Sequence, residues 1–146
     1  MPLLHDAEYR SQLQNRLRKL DPDSQRRWGK MSVDQMLWHV SVAMEVALGT
    51  RPASPQKTPL PRLIMKFMVL NLPWPKSAPT LPMFMAKGSH DFNAERNRCL
   101  QLIDQLSAKN LDENWPDNPV FGPIKGHDVS RLHAKHLNHH LNQFGV

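Results

Sequence analysis

Residues 131–146 read RLHAKHLNHHLNQFGV, and four of the chain's eight histidines fall there, at 133, 136, 139 and 140. Leu137, Leu141 and Phe144 recur at helical spacing, so the stretch reads as the last helix of a core, over about 128–143. At about 100° per residue, His133 and His140 lie close to the core direction. His136 lies on the flank, and His139 points further round, toward Leu132. His136 and His140 are one turn apart and can present two imidazoles to one ion from one face; His133 and His136 form a looser i, i+3 pair. Neutral imidazole is the commonest protein ligand for zinc, nickel and related ions. A purification tag does not fit, because these histidines alternate with leucines at core spacing.

Three further segments read as helices, over about 5–20, 33–48 and 90–108. Tyr9, Leu13, Leu17 and Leu20 mark the first, and Asp21-Pro22 is its stop. Ser32 and Gln35 form a capping box for the second, whose apolar stripe runs from Val33 to Ala47 and ends at Gly49. Ser89 is the expected N-cap of the third, with Phe92, Cys99, Ile103 and Leu106 facing inward. The pattern gives an all-α fold, a four-helix bundle forming one domain over 1–146. Eight of the thirteen prolines lie between Pro52 and Pro82, in a long connection between the second and third helices. Leu63–Leu72 within it could form a short apolar helix, and its many apolar side chains suit a lid or an interface better than disorder.

A third ligand must come from another helix. His39 is the best candidate, because it sits inside the apolar run MLWHVSV, where an unpaired imidazole is costly to bury. His5 and His90 lie near helix starts and are expected to meet solvent, and His127 is expected in a turn. Asp34 and Glu45 share a helix with His39, but at offsets that do not suit the same ion.

The chain is 146 residues long, carries a formal net charge of +6 and has a single cysteine. One cysteine excludes an internal disulfide and a cysteine-rich zinc motif, and Cys99 reads as a small core residue. The N-terminus lacks a signal-peptide apolar core, and no run approaches a membrane span, so a cytoplasmic protein without a membrane partner is expected. The basic balance comes largely from residues 10–30 and matches no nucleic-acid motif. It suits a solvated face or a rim that attracts an anionic small molecule better than a nucleic acid.

These residues carry a family resemblance. RWGKMSVDQMLWHV (27–40), NPVFGPIKG (118–126) and the closing HLNHHLNQ resemble the DinB-like superfamily, most closely a branch of unknown function. His136 and His140 match its C-terminal HxxxH, Gln143 follows as its polar residue, and His39 matches its histidine on the second helix. The resemblance implies an up-up-down-down bundle with a divalent metal held by His39, His136 and His140, zinc or nickel being the natural choices. Relatives of known activity transfer low-molecular-weight thiols such as bacillithiol or mycothiol, one of them a maleylpyruvate isomerase, and relatives often pair as dimers. The implied partners are therefore a small thiol, a small electrophile and a second copy in a homodimer. His133 is a further candidate, beside the metal or facing substrate. The rival readings are a metal-dependent hydrolase and a non-catalytic bundle that binds a metal or small ligand.

Overall fold

The computed structural model describes residues 2–146. It contains five α-helices: α1 (Ala7–Arg18), α2 (Val33–Leu48), α3 (Arg62–Asn71), α4 (Phe92–Ala108) and α5 (Gly126–Gln143). A single 3-10 turn, Pro82–Phe84, lies between α3 and α4. Among the described residues there is no strand, only one isolated bridge between Asn118 and Gly122. The sequence reading of an all-α fold therefore holds, but the helix count is five rather than four. The addition is α3, the short segment inside the Pro-rich connection. No helix among the described residues is long and apolar enough to cross a membrane.

The core explains the arrangement. α2 packs most extensively on α4, α1 touches α4 and α5, and α5 closes the ring against α2, while α3 lies on α5. Leu13, Leu17, Leu37, Met44, Cys99, Ile103, Leu106 and Leu137 are buried where those faces meet. Burial pushes the Cys99 thiol up to about 12, so it is a packing residue, as its sequence context suggests. Glu45 ties the two best-packed helices together: it takes hydrogen bonds from Arg98 on α4 and Arg51 beyond α2. Burial alone would raise its carboxyl, yet those two guanidiniums hold it below the usual range.

Helix ends differ from the sequence reading where long-range bonds intervene. The α2 capping box forms as expected, and Gly49 ends the helix at φ 77°, a left-handed conformation that favours glycine. α1 starts at Ala7 rather than residue 5 because His5 is held elsewhere. Its Nε2–H donates to the Lys109 carbonyl (2.8 Å), and its Nδ1 accepts from the Ser130 hydroxyl (2.8 Å). The Lys109 oxygen can only accept, which sets this tautomer. His5 is thus a clasp between the N-terminus, α4 and α5, not a solvent-facing residue. α4 is capped by Asp91, whose Oδ1 accepts from the Ala94 N–H (2.8 Å), and not by Ser89. The His90 N–H is taken by Asp34 Oδ2 (2.9 Å), which keeps the chain extended there. The His90 ring stacks on Trp38 at 5.6 Å, so it too is partly covered. His127 is exposed, but it lies in the first turn of α5. That helix begins at Gly126, where only a glycine fits, because a Cβ there would collide with the Leu111 carbonyl.

Basic residues of α5 hold α3 by its C-terminal end. Lys135 Nζ donates to the carbonyls of Val69 (2.7 Å) and Leu72 (2.5 Å), and Arg131 reaches Asn71 Oδ1 at 3.2 Å. Cations at a helix C-terminus satisfy its last carbonyls and complement its dipole. Lys66 adds an ion pair to Asp128 at 2.6 Å.

The core assignment predicts an asymmetry. Ile103→Ala should cost about 2–5 kcal/mol in urea unfolding. Leu63→Ala, at a position 80% exposed, should change stability by less than about 0.5 kcal/mol. Equal losses at the two positions would contradict the burial pattern.

Candidate metal centre

The site is built where α2 crosses α5. His39 projects from the middle of α2, and His136 and His140 project from adjacent turns of α5. His136 Nε2 lies 2.9 Å from His39 Nε2 and 3.1 Å from His140 Nε2. The three donor nitrogens all fall within 4.8 Å of one another. His39 and His140 are buried, at 6% and 7% exposure, while His136 is partly open.

The partners of the other ring nitrogens decide the chemistry. His39 Nδ1 lies 2.7 Å from the Phe84 carbonyl oxygen. That oxygen can only accept, so Nδ1 carries the proton and Nε2 is a lone pair. His140 Nδ1 lies 2.7 Å from Gln143 Oε1, while Gln143 Nε2 donates to the Trp28 carbonyl at 2.9 Å. The Trp28 oxygen fixes which end of the amide is which; Gln143 therefore presents an acceptor to His140, and His140 Nε2 is also a lone pair. His136 Nε2 can donate to at most one of these two neighbours. At least one of the two close nitrogen–nitrogen contacts thus has no proton between its atoms.

Protonation does not relieve this contact. Burial pushes His39 below its ordinary value, partly opposed by the Phe84 hydrogen bond. Burial pushes His136 well below it, with His140 and His39 adding to the effect. Burial, with His39 beside it, pushes His140 down to about 3. All three are neutral near pH 7. Converging neutral imidazole lone pairs suit one shared cation, and their separations suit donors about 2.0–2.1 Å from a single ion. The donor set therefore fits a divalent metal. Buried polar atoms elsewhere in native proteins find partners, and a metal is the partner that this geometry accepts.

Above the three imidazoles opens a cavity of about 580 Å³. His139 lines it beside the Trp28 and Trp74 rings, at 5.7 and 5.4 Å. Its Nδ1 and Nε2 are outside the convergent set, as the wheel suggests, but its ring faces the same space. Burial and then Lys135 lower its pKa. Lys30 and Lys76 also line the cavity, and among the described residues no Asp or Glu does. His133 is buried beneath the site, with Nδ1 unpartnered. Neither Asp34 nor Glu45 belongs to the set, in agreement with their offsets.

A DinB superfamily model matches residues 6–144. The chain belongs to the DinB superfamily. Comparison with curated proteins and with solved structures returns no match. The family match spans every element that builds the centre, from α1 to the Gln143 turn.

Several contributors were not singled out in the sequence. The Phe84 carbonyl, Trp28 and Gly29 set His39 and Gln143 in place, and Trp74 lines the cavity. Gly29 has φ 79°, and a Cβ there would sit 2.7 Å from Gln143 Nε2. A glycine is needed both for the backbone and for the close approach to Gln143. The available signals were Trp-Gly in RWGK and Pro-Trp-Pro inside the Pro-rich run.

His133 supplies a pH prediction. Burial pushes it from 6.5 down to about 4, so the unfolded chain binds its proton first as pH falls. Stability is therefore whole above about pH 6.5 and is lost progressively down to about pH 4, by roughly 3 kcal/mol for this group. Urea midpoints of chelator-treated protein should fall across that window, and His133→Met should flatten part of the slope. A slope identical in the variant would remove His133 as its source.

Proposed function

We propose that this chain is a divalent-metal-dependent enzyme in which His39, His136 and His140 hold the ion, and that it transfers a low-molecular-weight thiol to a small electrophile. The observation that carries the reading is the convergence of three Nε2 atoms, two with their lone pairs set by the Phe84 carbonyl and Gln143, at the floor of an accessible cavity. Three neutral imidazoles suit zinc or nickel. A three-ligand set leaves a position for an exogenous group. Such an ion supplies Lewis acidity, lowering the pKa of a ligated thiol or water.

The chain's own residues set the rest. Phe84 and Gln143 orient His39 and His140, the kind of outer support that sharpens a metal site. Trp74 walls the cavity beside His136 and His139, and the Trp28 ring backs His139. Lys30 and Lys76 favour anionic reactants, a class that includes carboxylate-bearing thiols. The lining contains no carboxylate to activate water as a general base. That favours thiol transfer over hydrolysis, since a thiol is acidic enough to ionise without one. The ring order α1–α4–α2–α5 supports the up-up-down-down bundle of the family.

The test is metal content followed by chemistry on one preparation. Untagged protein should retain a divalent ion by mass spectrometry of its metals. His39→Ala and His136→Ala should lose it with helical circular dichroism preserved. Gln143→Ala should weaken metal binding about 10–100-fold through loss of His140 orientation. Loaded protein should consume generic electrophiles only when a small thiol is present. Absence of any divalent ion bound at micromolar affinity or better would overturn the reading. Metal-dependent ester or amide cleavage without thiol would replace transfer by hydrolysis.

A further inference from the structure

A second hollow, of about 340 Å³, lies beside the histidine cavity. Met65, Met68, Leu72 and Pro75 line it, and it shares Trp74 and Ala78 with the first cavity. Its lining side chains are all apolar. The one polar side-chain atom, Trp74 Nε1, is committed to the Val69 carbonyl at 2.7 Å. No side chain on its walls can therefore recognise a polar ligand, and an occupant that covers them removes apolar surface from water. The flexible, polarisable methionines suit an occupant of simple shape.

Trp74 connects the two spaces. Its ring lies 5.7 Å from His136 and 5.4 Å from His139 on one side, and it forms a wall of the apolar hollow on the other. Lys135 Nζ sits 5.3 Å from the same ring. The hydrogen bonds of Lys135 and Trp74 to α3 make this wall a fixed part of the fold. The histidine space is thus lined by Lys30 and Lys76 as well, and the other space offers only hydrocarbon.

We propose that the hollow is a tail subsite and that the site's substrate is an amphiphile, with a small anionic head at the histidines and a linear aliphatic tail running past Trp74 among Met65, Met68 and Leu72. The assignment of this molecule as substrate rests on the enzymatic reading above. Its binding does not require the metal, so the two can fail separately.

The probes are linear carboxylates from butanoate to decanoate, kept below their aggregation limit and titrated by calorimetry into metal-free and metal-treated protein. Affinity should rise about fourfold per added methylene until the hollow is filled. Met68→Lys and Leu72→Gln, both at exposed positions, should flatten that dependence. Leu63→Gln, outside the hollow, should leave the dependence intact. In metal-free protein, decanoate should shift the ring-proton resonances of both His136 and His139. Affinity independent of chain length would overturn the proposal. So would a loss in Leu63→Gln equal to that in Met68→Lys, which would signify adsorption to the exposed face of α3, or an absence of histidine shifts. A steep chain-length series in protein that binds no metal would retain the subsite and remove the metalloenzyme. Metal binding with a flat series would do the reverse.

Discussion

Two hydrogen-bond acceptors determine what this protein can be. The Phe84 carbonyl and Gln143 Oε1 each oblige a buried imidazole to keep its proton on Nδ1. Both rings then turn a lone pair on the same point, where His136 already stands. An arrangement of neutral donors without a cation is frustrated, because three buried Nε2 atoms have lost their water and share at most one proton among them. Much of the connecting chain serves this arrangement. The Pro-rich segment delivers the Phe84 carbonyl through a 3-10 turn. The loop before α2 delivers the Trp28 carbonyl, which fixes the amide of Gln143. Gly29 leaves room for that amide.

The second constraint is the economy of α5. Its residues divide by angle into three tasks. His133, Leu137, Leu141 and Phe144 enter the core. Asp128, Arg131 and Lys135 hold α3 by ion pair and carbonyl contacts. His136, His139, His140 and Gln143 face the cavity. Because neighbours three and four apart share a face, the histidine face and the α3 face can be adjacent without competing. Docking of α3 then places Trp74 against the histidines. The same helix thus sets both the donors and the wall opposite them.

This division explains which parts could be read in advance. His136 and His140 stood out because their one-turn spacing is a property of the sequence itself. His39 stood out because an imidazole within MLWHVSV has no cheap way to be buried. Cys99 read correctly as core for the complementary reason: nothing near it favours a thiolate. The Phe84 contribution was illegible because it comes from a backbone carbonyl, which every residue carries. His5 and Ser89 were misjudged because each end was settled by bonds to segments distant in sequence, to Ser130 and Lys109 in one case and through Asp34 to His90 in the other. The short helix at Leu63–Leu72 was legible as an apolar run between prolines, but it stayed outside the count of four because ten residues are too few to be held by propensity alone. Its stability depends on Lys66, Arg131 and Lys135 contacts made across the fold.

The electrostatics of the cavity follow from the same economy. Its imidazoles are held neutral by burial, and no carboxylate balances Lys30 and Lys76. Attraction in the space therefore runs toward anions, and the apolar Trp74 wall strengthens it by lowering the local dielectric. A centre whose outer ligands were Asp or Glu would pass negative charge to the metal and hold its histidines more tightly. Here the support is neutral, a carbonyl and an amide. A divalent ion on these donors would keep nearly its full charge and act as a stronger Lewis acid toward an incoming anion. The neutrality of the centre thus begins with the choice of a backbone oxygen and a glutamine, where a carboxylate would also have fixed the tautomer.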